Sequence, residues 1–235
     1  MILNSSIPFK GVGLKVKLFL MVMALLFSLS GSLLVTNAAE ATLTLDKTTI
    51  RLGEPILISG SGYSAGEKLS VWLTGPSGGT YDGAYLNANS AGSFTSFPIG
   101  GGNTDLNNIT IANHAGTWAV TVQGSASGLI ASATFTVLSP NLTLTGNNLG
   151  NNIFHVLYSG SNWFPSEKVS LWVTFPDGTV TGLDATFADG DGNIPSPANN
   201  GFAFTGSVGA YTVTAQGSTS RNPITLQFSI IPATN

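Results

Sequence analysis

The sequence predicts an all-β protein made of two copies of one small sandwich, and three observations carry that prediction. Residues 59–78, SGSGYSAGEKLSVWLTGPSG, return one hundred positions later as SGSNWFPSEKVSLWVTFPDG. A second pair, GTWAVTVQGSAS at 116–127 and GAYTVTAQGSTS at 209–220, is offset by only 93, so about seven residues of the first repeat are missing from the second. Apolar stretches alternate with period two, and no window carries a helical stripe. A length change between matching ends belongs in a loop, where insertions are tolerated.

The elements follow from that alternation. In repeat one the expected strands are ATLTL (41–45), PILISG (55–60), KLSVWLT (68–74), a run near GSFTSF (92–97), TWAVTVQ (117–123) and ATFTVL (133–138). Repeat two supplies NLTLTG (141–146), FHVLYSG (154–160), KVSLWVT (168–174), a short run near NIPS (193–196), AYTVTAQ (210–216) and ITLQFSI (224–230). Clusters of Gly, Ser and Asn between them are turn signals. The boundary is expected at Leu138-Ser139-Pro140, dividing the chain into sandwiches over 42–139 and 140–235. So short a linker, further restricted by proline, holds its neighbours end to end.

Lysines at 10, 15 and 17, an uncharged run from Leu18 to Val35 and small residues after it read as an export signal over 1–41. Cleavage is expected after Ala41, with Ala39 as the other candidate. An uncleaved membrane anchor is the alternative, because the run sits at the lower edge of spanning length. Without the leader the chain keeps five basic and ten acidic groups, a net charge of −5. That sparse acidic surface offers no counterion-release drive for nucleic acid and no attraction to anionic lipid, so the membrane is a partner only through an uncleaved leader. The chain has no cysteine, which excludes disulfides, thiol catalysis and cysteine zinc sites.

The residues Ser59-Gly60-Ser61-Gly62-Tyr63 with Gly66-Glu67, their partners Ser159-Gly160-Ser161-Asn162-Trp163 with Glu167, and the Ser-x-Trp strand after each resemble bacterial immunoglobulin-like repeats of exported and cell-surface proteins. Gly116-x-Trp118-x-Val120 and Gly209-x-Tyr211-x-Val213 look like the Gly-x-Tyr-x-Cys run of immunoglobulin strand F, with valine in place of cysteine. The resemblance implies two tandem immunoglobulin-like β-sandwich domains in an extracellular setting, and no particular ligand. Two departures stand out: Trp118 lacks the hydroxyl of a tyrosine corner, and Pro165-Ser166 replaces the Ala65-Gly66 turn.

Few residues offer chemistry. His114 and His155 fall at non-matching positions, the first in a loop and the second on the polar face of a strand, so they supply no shared base. Glu67 and Glu167 each precede a lysine and read as local pairing or turn-capping groups. No acid–base pair or nucleophile emerges, so no enzyme is expected. Asp189, Asp191 and Asn193 place oxygen-bearing side chains at alternate positions, as the opening of a calcium loop does. The matching Asn89-Ser90-Ala91-Gly92-Ser93 keeps the glycine without the acids, and a hairpin turn explains both copies. Asn108-Ile109-Thr110 and Asn141-Leu142-Thr143 match the N-glycosylation pattern.

The tryptophans are the more informative residues. Leu69, Val71 and Leu73 form one face of KLSVWLT, so Trp72 lies on the other, and Trp172 likewise opposes Val169, Leu171 and Val173. Trp118 and Tyr211 align with Val120 and Val213 and belong to the core. The expected protein is therefore a non-catalytic, secreted or surface-exposed structural or adhesive module of the cell envelope, partnered by an envelope protein or a glycan. The alternative is a secreted glycan-binding protein that stacks sugar on Trp72 and Trp172, with Trp163 beside them.

Overall fold

The computed structural model describes residues 40–100, 114–150, 153–195 and 201–231. The leader up to residue 39 and the acceptor triplet at 108–110 lie outside the described residues. The described residues are strands and turns, as the period-two alternation requires.

Repeat one contributes β1 (Thr42–Leu45), β2 (Thr49–Arg51), β3 (Ile56–Ser61), β4 (Lys68–Thr74), β5 (Thr80–Asn87), β6 (Phe94–Ile99), β7 (Gly116–Gly124) and β8 (Ile130–Leu138). They form two facing sheets, β1-β3-β6 and β2-β8-β7-β4-β5. All pairings are antiparallel except β2 with β8, because the first strand of the sandwich switches sheets between Leu45 and Thr49. Repeat two contributes β9 (Asn141–Gly150), β10 (Ile153–Ser161), β11 (Lys168–Thr174), β12 (Val180–Gly182), β13 (Thr186–Phe187), β14 (Gly201–Thr205), β15 (Gly209–Gly217) and β16 (Pro223–Ile230). Its sheets are β9-β10-β14 and β12-β11-β15-β16, with β13 also on β11. Two sheets per repeat with this pairing make each an immunoglobulin-like sandwich.

All but one of the strands expected from periodicity are present, and five were not anticipated, β2, β5, β12, β13 and β14. β2, β12 and β13 are only two or three residues long, too short for alternation to register. β5 is long, but a bulge against β4 interrupts its period: Ser70 faces Tyr85 and Trp72 faces Asp82, leaving Gly83 and Ala84 opposite Val71. The run expected near 193–196 reduces to one bridge, Ile194 with Gly160. The strand beside β10 is instead β14, nine residues beyond that bridge by its centre at Ala203. The connection before the strand-F position is shorter in repeat two, residues 206–208 between β14 and β15 against 100–115 between β6 and β7, and the later position of β14 in its repeat makes up part of the difference.

Each sandwich has its own core. Leu69, Val71 and Leu73 are buried with Ile56, Ile58, Trp118, Val120, Val122 and Phe135. Val169, Leu171 and Val173 are buried with Trp163, Tyr211, Val213 and Ala215. Ala41, which sequence reading assigns to the leader, is buried against the first core.

Turn geometry is kept where residue identity is not. Gly62 and Gly66 have left-handed φ, and Asn162 and Ser166 adopt the same conformation at the matching positions, so Pro165-Ser166 preserves the turn it was expected to alter. Gly92 (φ 71°) and Gly192 (φ 74°) carry a second constraint: a Cβ on either would collide with the carbonyl oxygen of Tyr63 or Trp163. Gly92→Ala and Gly192→Ala should each cost more than about 1 kcal/mol, combining left-handed strain with a backbone clash. Urea denaturation of the two variants checks this, and midpoints equal to wild type would contradict the turn assignment.

Candidate functional site

The buried carboxylates are the first organising groups. Glu67 caps its own turn by accepting the Ser64 N–H at 2.7 Å on Oε1. Its Oε2 accepts the Ala126 and Ser127 N–H groups, both at 2.8 Å, and the Ser127 hydroxyl donates to Oε1 at 2.7 Å. Glu167 repeats the arrangement with the N–H groups of Phe164, Thr219 and Ser220. Turn capping was expected; pairing with the following lysine is not what they do. Each is a long-range tie between the β3–β4 or β10–β11 turn and the β7–β8 or β15–β16 loop. Lys68 instead places its Nζ 3.8 Å from the centre of the Tyr85 ring.

The strand-F positions carry a second shared device. Tyr211 donates its hydroxyl to the Ser207 carbonyl at 2.8 Å, a bond four residues back along the chain. Trp118 donates Nε1 to the His114 carbonyl at 2.9 Å, also four residues back. The missing hydroxyl of Trp118 is thus replaced by an indole N–H, and the corner exists in both repeats.

The acidic loop is a turn. Asp189 Oδ1 accepts the N–H groups of Asp191 at 2.9 Å and Asn193 at 2.8 Å, and Asn89 Oδ1 accepts those of Ala91 at 2.8 Å and Ser93 at 3.1 Å. A neutral amide doing the same work in repeat one shows that the geometry needs no acid. Hydrogen bonds from Asn193 and Asp191 hold the Asp189 carboxyl below its usual range, and Arg51 adds to this despite the cost of desolvation. The calcium reading of Asp189, Asp191 and Asn193 has no support in this arrangement. Among the described residues no group of three or more His, Asp or Glu gathers as a metal site.

Arg51 joins the repeats. Its guanidinium is bound to Glu54 at 3.1 Å on one nitrogen, and another donates to the Asp191 carbonyl of repeat two. Gly53, on the same loop, faces Thr219 and Phe164, the residues whose backbone is organised by Glu167. Sequence reading did not single out Arg51, since nothing in a lone arginine marks a contact 140 residues away.

Of the three tryptophans expected as a ligand surface, the structure separates one. Trp163 is fully buried and donates Nε1 to the Asn141 carbonyl at 3.1 Å, so it has no face to offer; alternation could not reveal this, because Trp163 lies in a turn. Trp72 and Trp172 are half-buried on the outer faces of β4 and β11. Trp72 borders an open depression of about 570 Å³ lined by Ser70, Val71, Trp72, Thr80, Gly83, Ala84 and Tyr85. Tyr85, 66% exposed, is the lining residue that sequence reading missed, because the bulge hid its strand. His114 is exposed and His155 half-buried, in different repeats.

These features define a tandem pair of immunoglobulin-like sandwiches whose buried carboxylates are spent on turns and loops. The chain belongs to the macroglobulin-like domain family, whose model matches residues 38–137 and 142–230. No curated protein matches it in sequence. Among solved structures it is similar to a tetra-tandem repeat in the extending region of a large adhesion protein, at 16% identity and a TM-score of 0.35, covering 81% of this chain and 49% of that one. The three N-terminal domains of the bacteriophage RB49 Hoc capsid protein are similar at 10% identity and a TM-score of 0.34, with 82% and 58% covered. A trypsin-activated α2-macroglobulin from Escherichia coli is similar at 15% identity and a TM-score of 0.31, with 83% and 16% covered. The chain thus spans about half the length of the first of these.

Glu67 also sets a pH dependence. Burial opposes its charge, but the hydrogen bonds from Ser127, Ser64 and Ala126 outweigh that and hold the carboxyl at about 2, against an ordinary 4.5. A carboxylate whose folded pKa is depressed stabilises fully above the unfolded value, and that contribution is lost as pH falls from about 4.5 through about 2. Thermal melting followed between pH 6 and pH 2, as a titration range, should show this loss in the wild type. Glu67→Gln should melt lower at neutral pH and show a flatter acid limb, and an unchanged limb would remove Glu67 as its source.

Proposed function

We propose that the chain is a non-catalytic structural or adhesive module displayed outside the cell, in which two sandwiches act as a stiffened pair. The observation that carries this reading is the Arg51 contact. A loop of repeat one, clamped by its own Glu54, reaches the turn of repeat two that Asp189 shapes. Inter-domain contacts of small area leave relative motion as the default, and a charged anchor on preformed backbone opposes that motion. The uncharged hydroxyl and amide surface and the cysteine-free cores suit a domain stabilised by burial alone, in a setting where loops face other surfaces.

The export leader remains part of this proposal. Burial of Ala41 favours a leader ending at Ala39, since cleavage after Ala41 would remove a core residue. Protein recovered from its native host should begin at Glu40, read by N-terminal sequencing, and should be digested by protease added to intact cells. A cytoplasmic, protease-protected protein would overturn the reading. Arg51→Ala should broaden the inter-repeat distance distribution measured between spin labels, one in each sandwich, while both repeats keep their melting temperatures.

A further inference from the structure

We propose that the outer face of β4 and β5 in repeat one is a binding site for uncharged sugar rings, with Trp72 and Tyr85 as its two stacking surfaces. The site rests on the adhesive side of the reading above and gives it a ligand class.

The depression beside Trp72 is built by the backbone. β5 places two residues, Gly83 and Ala84, opposite Val71, and the bulge brings the Gly83 Cα so near the Val71 carbonyl that a Cβ there would collide with it. Bulges bend a strand and re-aim its side chains. Here Tyr85 emerges on the same outer side as Ser70 and Trp72, bordering one open concavity with them. Its volume of about 570 Å³ lies within the range of small-ligand sites.

The chemistry of the lining selects the ligand. Trp72 and Tyr85 present ring surface, while Ser70 and Thr80 present hydroxyls. Across β4 the outer face continues with Thr121 opposite Trp72 and Gln123 opposite Ser70, and Thr121 shares a hydrogen bond of 2.9 Å with Ser132. A purely apolar peptide would cover the Ser70 and Thr80 hydroxyls and the Gln123 amide without offering them partners. Among the described residues of this face the cation an anion would meet is the Lys68 ammonium, already placed over the Tyr85 ring. A pyranose satisfies both halves, because its axial C–H face stacks on an aromatic ring while its hydroxyls bond to Ser, Thr and Gln. Lys68 further holds Tyr85 in place, which lowers the entropy lost on binding.

Repeat two shows what the site requires. Trp172 is retained and half-buried, but it faces Gly182, and the position matching Tyr85 is Ala185. Between β12 and β13 the edge strand is interrupted, and the one-residue register shift on β11 recurs there, but no tyrosine emerges from it beside Trp172. The Trp–Tyr pair therefore belongs to repeat one alone.

The experiment is titration of the full chain with cellohexaose, xylohexaose, mannohexaose and N-acetylchitohexaose, read by calorimetry. At least one should bind. Trp72→Ala and Tyr85→Ala should each weaken that binding by about tenfold or more, consistent with loss of one stacked ring. Trp172→Ala, on the face that lacks the tyrosine, should leave it unchanged. Tyr85 is exposed enough that its variant should melt with the wild type, which keeps the test decisive if Trp72→Ala unfolds. Absence of binding by all four probes overturns the proposal while leaving the spacer reading intact. Equal loss in Trp172→Ala, or retained affinity in Tyr85→Ala, overturns the assignment to this face. A cytoplasmic location would instead defeat the adhesive reading on which the site rests.

Discussion

A buried carboxylate that accepts backbone N–H groups from two separate loops is the constraint on which each sandwich depends. Glu67 and Glu167 sit at the start of the central strands β4 and β11, and their oxygens accept N–H groups from both the turn and the opposite loop. A charge removed from water is costly alone, and an amide left unpaired is costly alone; together they cancel each other's penalty. The result is that two loops far apart in sequence are fixed at one end of the fold. In repeat two that end meets the Arg51 loop, so order within one sandwich becomes order between the two.

The repeats have diverged by exchanging side chains while retaining hydrogen bonds. Trp118 and Tyr211 reach the same carbonyl position four residues back with different donors. Asn89 and Asp189 wrap the same turn with different charge, and Asn162 and Ser166 take up backbone conformations that glycine holds in repeat one. At these positions the fold requires a donor or acceptor at a given place, and several residue types can put one there. That is also why the acidic character of residues 189–193 misleads as a metal signal: its carboxylate has a geometric task that an amide performs equally well.

Divergence of a different kind marks the outer faces. The tryptophan persists in both repeats, but the strand beside it is bulged and bears Tyr85 in one, and is broken and bears Ala185 in the other. Core positions tolerate little change because they are packed on every side, whereas an edge strand can be reshaped without disturbing the layer beneath it. A binding face confined to one copy of a duplicated domain is consistent with that freedom.

What the sequence by itself determined was everything that repeats or alternates. Duplication defined two units, and the period of two assigned Leu69, Val71 and Leu73 inward and Trp72 outward, because successive strand residues must point to opposite faces. Turn chemistry located Gly92 and Gly192. Only the tertiary structure decided matters that depend on residues distant in sequence. These are the burial of Trp163 beneath the Asn141 strand, the second loop bound by each glutamate, the reach of Arg51 into repeat two, and the bulge that turns Tyr85 outward beside Trp72. The physical reason is common to all four: a turn residue has no period to read, and a hydrogen bond or strand pairing across 10 to 140 residues leaves no local trace in either partner.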